Sequence, residues 1–270
     1  MAAAASREPG RRGGWLRGWC QRRLFYRLNR LIQPWPWLFY PFHEASMKAS
    51  FRHLEVAPDS DLVVEGAQRS ATSFTFRAFE VANELAGRPP LKIARHLHAV
   101  AQYARAARWA VPALLLLRNP ADCARSTALF HPFVTPRQAL KSWIRFHRAA
   151  WRWRRHLLVV PFERATRDPG GVIAAAAARF GRPFAPWPGT PLAKALVLKR
   201  LEETNNRRDG ANDLTTYVPN DAKEAAKRQV DLAGCARLLA RAEALHRRWL
   251  AEAEASPAGR ERLDRPAASP

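Results

Sequence analysis

Two short apolar runs, each followed by a polar turn and a helical pattern, limit most strongly how this chain can fold. The first run is Leu62 to Val64, and the second extends from Val111 to Leu117. A continuous apolar run without polar alternation is typical of a strand that is covered on both faces, as in a parallel sheet. The pattern therefore predicts an α/β fold in which a mostly parallel central sheet is flanked by helices.

Length and composition predict one domain with an extension at each end. A chain of 270 residues fits a single α/β domain. We assign residues 1–54 to a basic, aromatic N-terminal arm and residues 55–253 to the domain. The C-terminal part of this domain, from Asp221 onward, has the composition of one long charged helix or two. Residues 254–270 are predicted to be a disordered tail.

The turn after the first apolar run offers several groups that bind phosphate. Residues 68–74 read Gln-Arg-Ser-Ala-Thr-Ser-Phe, and the apolar spacing beyond them predicts a helix that begins near Ser70. The start of a helix presents free backbone N–H groups and a positive dipole end to an anion. Hydroxyl groups and the guanidinium of Arg69 add further donors. The simpler alternative is that Ser70 only caps the helix.

Two positions separate this turn from the nucleoside-triphosphate loop of ATPases and GTPases. That loop has the pattern G-x-x-x-x-G-K-[ST], in which the lysine binds the terminal phosphates. Counted from Gly66, this chain has Ala71 and Thr72 where the second glycine and the lysine are required. An ordinary ATPase or GTPase is therefore disfavoured. Because residue 71 is an alanine, we also expect the turn to avoid a positive φ there.

The turn after the second apolar run carries an arginine and a serine at a fixed interval. Arg118 ends the run, Pro120 suits the first turn of a following helix, and Ser126 lies eight residues past Arg118. If that helix folds back over the strand, the guanidinium and the hydroxyl hold one phosphate between them. Both turns then place donors at the carboxyl ends of buried strands, where open α/β sheets bind ligands.

In these two turns the chain resembles the sulfotransferases that use 3′-phosphoadenosine-5′-phosphosulfate (PAPS). Residues 68–73 are similar to the family's P-[KR]-S-G-T-T loop, which holds the 5′-phosphosulfate. Residues 118–126 match its R-[ND]-P-x-D-x-x-x-S segment, which holds the 3′-phosphate. Residues 206–210 resemble its late R-K-G turn, although Asp209 interrupts the pattern. The resemblance assigns PAPS binding to Arg69, Ser70, Ala71, Thr72, Ser73, Phe74, Arg118, Ser126, Arg208 and Gly210.

The resemblance covers residues 61–181 and implies a P-loop nucleotide-transferase-like domain with a catalytic histidine. Residues 91–98 resemble the family's strand that ends in this histidine, which implies that His96 takes the proton of an acceptor hydroxyl. Arg69 then stabilises the departing phosphate. His98 is the rival base, because strand alternation places both imidazoles on one side. The scheme requires no metal. Its acceptor is an unidentified hydroxyl of a carbohydrate, a lipid or a small molecule.

The charge of the chain predicts an anionic partner and leaves open two alternatives to a sulfotransferase. Lysine and arginine number 45 against 23 acidic residues, a formal net charge of +22. A non-catalytic, basic nucleic-acid-binding protein explains that excess, yet no zinc-ligand spacing, basic zipper or RNA-recognition motif is present, so we expect no nucleic-acid partner. The other alternative is a kinase or a different nucleotide-dependent transferase on the same fold.

Cysteine content and the N-terminal sequence bear on the compartment. Three cysteines far apart form no C-x-x-C pair, which is typical of a reducing compartment, and the scattered arginines of residues 7–23 do not form a signal peptide. We therefore expect a cytoplasmic protein. Residues 15–42 combine a basic stretch with an uncharged, proline-broken aromatic stretch. This segment either touches an anionic membrane surface or packs its aromatic rings onto the domain, and packing is the favoured interpretation.

Overall fold

A computed structural model describes residues 24–46, 49–207 and 212–255 of the chain. The predicted α/β fold is confirmed: four parallel strands form one central sheet, and helices flank it. The strands are β1 (Leu62–Gly66), β2 (Ile93–Arg95), β3 (Ala113–Leu117) and β4 (Leu157–Pro161). The helices are α1 (residues 24–32), α2 (Pro36–Ser46), α3 (Thr72–Leu85), α4 (Ala101–Arg108), α5 (Pro120–Phe130), α6 (Pro136–Ala150), α7 (Phe162–Arg167), α8 (Pro169–Phe180), α9 (Pro191–Asn206), α10 (Asp221–Gln229) and α11 (Ala236–Ala255).

The sheet has the strand order β2-β1-β3-β4, so the chain changes direction across it after β2. From β1 the chain moves outward to β2, and it then returns past β1 to form β3 on the other side. The carboxyl ends of β1 and β3 therefore border the point of reversal. The two strands approach closely there, since a Cβ added at Gly66 would lie 2.5 Å from the carbonyl oxygen of Leu116.

Both faces of the sheet are covered, as the uninterrupted apolar runs predict. On one face, Val63 and Leu115 belong to a core that includes Trp143 of α6 and Trp249 of α11. On the other face, the alternate strand residues pack with Phe79 of α3 and with α8. Burial of apolar surface on two sides fixes the strand register, because a shift by one residue exchanges the two faces.

The described part of the N-terminal segment packs partly onto the domain. Ile32, Phe39 and Tyr40 form a small core with Leu97 and neighbouring residues. Arg30 donates hydrogen bonds to the carbonyl oxygens of residues 97 (3.2 Å) and 98 (2.7 Å). These contacts tie α1 and α2 to the turn that follows β2. Within the described residues, no helix combines the length and the apolar character needed to cross a membrane.

Candidate functional site

The turns that follow β1 and β3 meet in the structure. Arg118 donates from Nη1 to the carbonyl oxygen of Arg69 at 2.8 Å. Arg69 donates in turn from Nε to Oγ of Ser126 at 3.1 Å. Both turns lie against one cavity of about 670 Å³, within the range of about 300–1,000 Å³ that is typical of small-molecule sites. The two motifs therefore belong to one site.

This cavity lies outside the carboxyl ends of β1 and β3, at the point where the strand order reverses. Open α/β sheets bind their ligands at this position, because the two neighbouring loops diverge there and leave a crevice. The residues of the sequence-predicted site that line the cavity are Arg69, Ala71, Thr72, Ser73, Phe74, His96 and Arg118. Ser70 and Ser126 are buried and lie behind the lining. Arg208 and Gly210 lie outside the described residues.

The start of α3 faces the cavity without a side-chain cap. The helix begins at Thr72, two residues later than predicted, and Ala71 at the N-cap position makes no side-chain hydrogen bond. Ser70 is fully buried and does not cap the helix, so that alternative is wrong. The first N–H groups of a helix have no intrahelical acceptor. Together with the hydroxyls of Thr72 and Ser73, they place several donors at the positive end of the helix dipole, an arrangement that is suited to an anion.

The backbone of Ala71 contradicts the expectation of an ordinary φ. Its φ is +67° and its ψ is 21°, which is the left-handed conformation. The tight turn between β1 and α3 requires this geometry, and the packing around it holds an alanine where a glycine fits more easily. Five non-glycine residues in the described ranges have a positive φ, and four of them line the cavity: Arg69, Ala71, His96 and His98. Backbone strain is thus concentrated at this site.

The guanidinium of Arg69 is held firmly on the side of the second turn. Besides Ser126, it donates to the carbonyl oxygen of Thr216 at 3.1 Å. It also lies over the rings of Phe130 (4.3 Å to the centroid) and Tyr217 (5.3 Å). Stacking and hydrogen bonding fix the direction of the planar cation. Arg69 therefore joins the two motifs into a single positive surface.

Arg118 directly follows β3 in the chain, and one of its N–H donors has no acceptor in the described ranges. Its guanidinium lies 4.1 Å from the centroid of Phe162. Its Nε is buried and has no hydrogen-bond partner among the described residues. A buried donor without an acceptor is costly unless a ligand or water supplies one. Arg118 also lines the cavity, where its guanidinium contributes positive charge.

Three lysines of the cavity lining were missed by the sequence analysis: Lys194 on α9, and Lys223 and Lys227 on α10. With the two arginines they give five cations, and Glu224 is the one acidic residue among the lining residues that the structure describes. Glu224 pairs with Lys227. The spacing of four residues between the α10 lysines was visible, but it also fits a solvated helix face. Their burial arises from tertiary packing.

Lys223 is the most perturbed of these cations. Its ammonium donates to the carbonyl oxygen of Thr216 at 2.7 Å. Burial lowers the pKa of Lys223 to about 7, and the nearby charges of Arg69, Lys227 and Arg118 act in the same direction. A cluster of like charges in a partly buried site is unfavourable by itself. Such a cluster is stabilised by an anionic ligand that carries more than one charge.

The two candidate bases lie on a turn and not on a strand. β2 ends at Arg95, and both His96 (φ +65°) and His98 (φ +49°) follow it in the left-handed conformation. The alternation of side chains along a strand therefore does not apply to His96 and His98. It is wrong as the reason for placing both imidazoles on one side. Both nevertheless line the cavity, with ring centroids 6.2 Å apart.

A buried carboxylate holds this histidine turn in place. Glu65 of β1 accepts the backbone N–H groups of Leu97 (2.8 Å) and His98 (2.9 Å). His98 donates from Nδ1 to the carbonyl oxygen of Gly66 at 2.9 Å, which leaves a lone pair on Nε2 of the neutral ring. Glu65 was not identified from the sequence, because a carboxylate at the end of a strand resembles an ordinary turn residue.

Electrostatics keep both imidazoles neutral at pH 7. Burial lowers the pKa of His96 to about 3, and Arg95 and Arg77 add to the effect. Burial also lowers the pKa of His98, with contributions from Arg30 and His96. A neutral imidazole has a lone pair that can accept a proton, but a pKa of about 3 makes His96 a weaker base than an ordinary imidazole, whose pKa lies closer to the working pH. Burial raises the pKa of Glu65 to about 7, although its two backbone donors act against that shift.

Cys123 lies near the site, but we assign it no chemistry. Cys123 is buried under the first turn, where its Sγ donates to the carbonyl oxygen of Gln68 at 2.8 Å, and burial raises its pKa to about 11. A thiol of this kind is inert. Among the described residues, no group of three or more His, Cys, Asp or Glu side chains is arranged to hold a metal ion.

The geometry at the reversal point is that of a partly open, strongly basic site with the neutral imidazoles of His96 and His98 at its wall. It is suited to a ligand with two separated anionic groups and to proton transfer at a nearby hydroxyl. Comparison of the chain with protein-family models, with curated proteins and with solved structures finds no match.

Proposed function

We propose that this chain is a sulfotransferase that moves a sulfuryl group from PAPS to the hydroxyl of an acceptor. One observation carries the proposal: the two motifs that resemble the PAPS grips converge on a single basic cavity at the reversal point of a parallel sheet. The volume of the cavity, about 670 Å³, is sufficient for a nucleotide of this size.

The two anionic ends of the donor are assigned to different parts of the lining. The uncapped start of α3, with Thr72 and Ser73, takes the 5′-phosphosulfate. The guanidinium groups of Arg118 and Arg69 take the 3′-phosphate, and Ser126 holds Arg69 in place from behind the lining. In this assignment the guanidinium of Arg69 contacts the 3′-phosphate and not the departing 5′-phosphate, which is the role that the resemblance implied. The backbone of Arg69 remains beside the 5′ group.

Transfer requires one proton acceptor and one stabilised leaving group. The acceptor oxygen attacks sulfur and forms a new S–O bond, its proton passes to an imidazole, and the bond between sulfur and the 5′-phosphate oxygen breaks. The electron pair of that bond remains on the phosphate, where the N–H groups of α3 stabilise the added charge. The resemblance favours His96 as the base, while the hydrogen bond to Gly66 orients His98.

Selective binding of the desulfated donor tests the proposal. We expect adenosine 3′,5′-bisphosphate to raise the melting temperature more than ADP or ATP with magnesium does, because only the bisphosphate carries the 3′-phosphate. A ligand at about 100 times its Kd stabilises a protein by about 2.7 kcal/mol. Arg118→Ala should remove the shift, whereas Arg182→Ala on the exposed surface should preserve it. A clear response to ATP alone favours a kinase instead.

Replacement of each histidine tests the assigned base. His96→Ala should abolish transfer from a labelled PAPS donor to acceptors in a cell extract, by about 10²–10⁴-fold for loss of a general base. Binding of the bisphosphate should remain, since His96 is assigned no contact with either phosphate. If His96→Ala turns over normally and His98→Ala does not, the base is His98. If both variants turn over normally, neither histidine is the base.

A further inference from the structure

One surface of the molecule combines exposed apolar side chains with unpaired cations. It is formed by α1, the residues between α1 and α2, α6 with the turn after it, and α11, and it lies apart from the candidate site. We call it the basic–apolar face. Its shallow groove is lined, among others, by Leu31, Trp35, Lys141, Arg145, Arg148, Arg152, Leu238 and Arg241.

The apolar part of this face comes from the N-terminal segment. Seven of the ten exposed large apolar side chains in the described ranges lie between residues 24 and 38. Leu24, Leu28 and Leu31 recur at the spacing of one helix face, and Trp35 follows in the same groove. Trp37 is 74% exposed. Such a concentration is unusual for a monomer surface and is typical of an interaction site.

The cationic part comes mainly from α6 and from the turn that follows α6 in the chain. Lys141, Arg145, Arg148 and Arg152 recur at intervals of three and four residues and are exposed, as is Arg241 of α11. None of the five forms an ion pair with a carboxylate in the ranges that the structure describes. Their charges are therefore available to an external anionic surface.

We propose that the basic–apolar face docks on an anionic phospholipid bilayer. Tryptophan and leucine side chains enter the boundary between headgroups and acyl chains, while the cations contact the phosphate layer. Each basic residue near an anionic leaflet contributes favourably, and the effect falls off within a Debye length. This proposal is independent of the proposed catalytic function.

Two other occupants fit the face less well. A nucleic acid is bound by cations and by a few stacking rings, and it gives no reason for the leucines of α1. A second copy of the chain, with a net charge of +22, would bring two basic surfaces together. A bilayer satisfies the apolar and the cationic groups at the same time. It also matches the arrangement of both kinds of residue along one face.

Co-sedimentation of the full chain with vesicles tests the proposal. We expect binding to vesicles of phosphatidylcholine with about one-third phosphatidylglycerol, and much weaker binding to phosphatidylcholine alone. Reversal of three charges, in Lys141→Glu/Arg145→Glu/Arg148→Glu, should weaken binding to anionic vesicles by about tenfold or more. Trp35→Ala should weaken binding as well, since it removes the ring that lies in the groove.

A matched control separates the face from the overall charge of the chain. Arg182→Glu/Lys199→Glu/Arg207→Glu changes the net charge equally at exposed positions away from the face and should retain binding. Equal loss in both triple variants, or equal sedimentation with neutral vesicles, overturns the proposal. The proposal is also overturned if the chain does not bind vesicles and instead binds duplex DNA or self-associates, and the variants of the face abolish that binding or self-association.

Discussion

Ala71 is the residue at which backbone strain and the candidate anion site coincide. An L-residue in the left-handed conformation costs about 1–2 kcal/mol, which glycine does not incur, although glycine gives back about 0.4–1 kcal/mol through the entropy of the unfolded chain. We therefore expect Ala71→Gly to stabilise the protein by about 0.5–1 kcal/mol. Urea unfolding measures the change in the free energy of unfolding.

Ala86 offers the matched control at the opposite end of α3. It is also an alanine at a helix boundary, but its φ is −85°. Ala86→Gly should be neutral or destabilising, because no strain is relieved and the unfolded chain gains freedom. If both replacements change the free energy of unfolding in the same direction, the turn at Ala71 is not strained.

Lys223 provides a prediction about the pH dependence of ligand binding. Because the pKa of Lys223 is about 7, its charge is present below that pH and is lost as the pH rises. The affinity for adenosine 3′,5′-bisphosphate should then fall above pH 7, by at most about tenfold for each pH unit. Arginine keeps its charge, so Lys223→Arg should bind with less pH dependence than the wild type in calorimetric titrations from pH 6.5 to 8.5.

Comparison of the wild type with Lys223→Arg also removes the effect of protons that bind to the ligand. The phosphates of the ligand lose their last protons near neutral pH, and this loss acts equally on the wild type and on Lys223→Arg. Only the difference between the two pH profiles reports on Lys223. Parallel profiles would show that Lys223 remains charged or makes no contact with the ligand.

At the scale of elements, the turn between β2 and α4 depends on a neighbouring strand for its shape. Glu65→Gln keeps the size of the side chain but sets an amide NH₂ against a backbone N–H group. The lost acceptor should lower the free energy of unfolding by about 1–3 kcal/mol. If the turn positions the catalytic base, transfer should fall while binding of the bisphosphate persists. Glu202→Gln, on the exposed surface of α9, should change neither quantity.

The same turn shows where prediction from the sequence succeeds and where it ends. The runs at β1 and β3 are recognisable because burial on both faces requires apolar residues at every position. β2 has only three residues, so its end at Arg95 and the left-handed histidines beyond it leave no periodic signal. The contact of Arg69 with Ser126 and the burial of Lys223 arise from residues far apart in sequence. Local patterns cannot encode such contacts.

At the scale of the whole molecule, positive charge is gathered at two separate places. Five cations line the candidate site, and five others lie on the basic–apolar face. The first group lines a partly open cavity in which Lys223 and Lys227 are buried, which suits a small ligand with concentrated charge. The second is exposed and accompanied by apolar groups, which suits an extended surface. A single explanation for the net charge of +22 is therefore unnecessary.

Stability in acid is a further property of the whole fold. Burial lowers the pKa of His96 and of His147 to about 3, and it also lowers the pKa of His98, whereas an exposed imidazole has a pKa of 6.5. Below pH 6.5 the unfolded chain therefore binds protons at these residues that the folded chain does not. The free energy of unfolding should decrease as the pH falls from 6.5 toward 3. Glu65, with its raised pKa of about 7, acts in the opposite sense between pH 7 and 4.5.

His147 isolates this effect because it is fully buried and lies away from the candidate cavity. Each excess proton of the unfolded chain adds about 1.4 kcal/mol per pH unit to the slope of stability against pH. We expect His147→Gln to reduce that slope by about this amount between pH 5.5 and 4.5 in urea titrations. The replacement also keeps a donor for the carbonyl oxygen of Trp143, which His147 contacts at 2.9 Å. Equal slopes for His147→Gln and the wild type would mean that His147 titrates alike in the folded and unfolded chains.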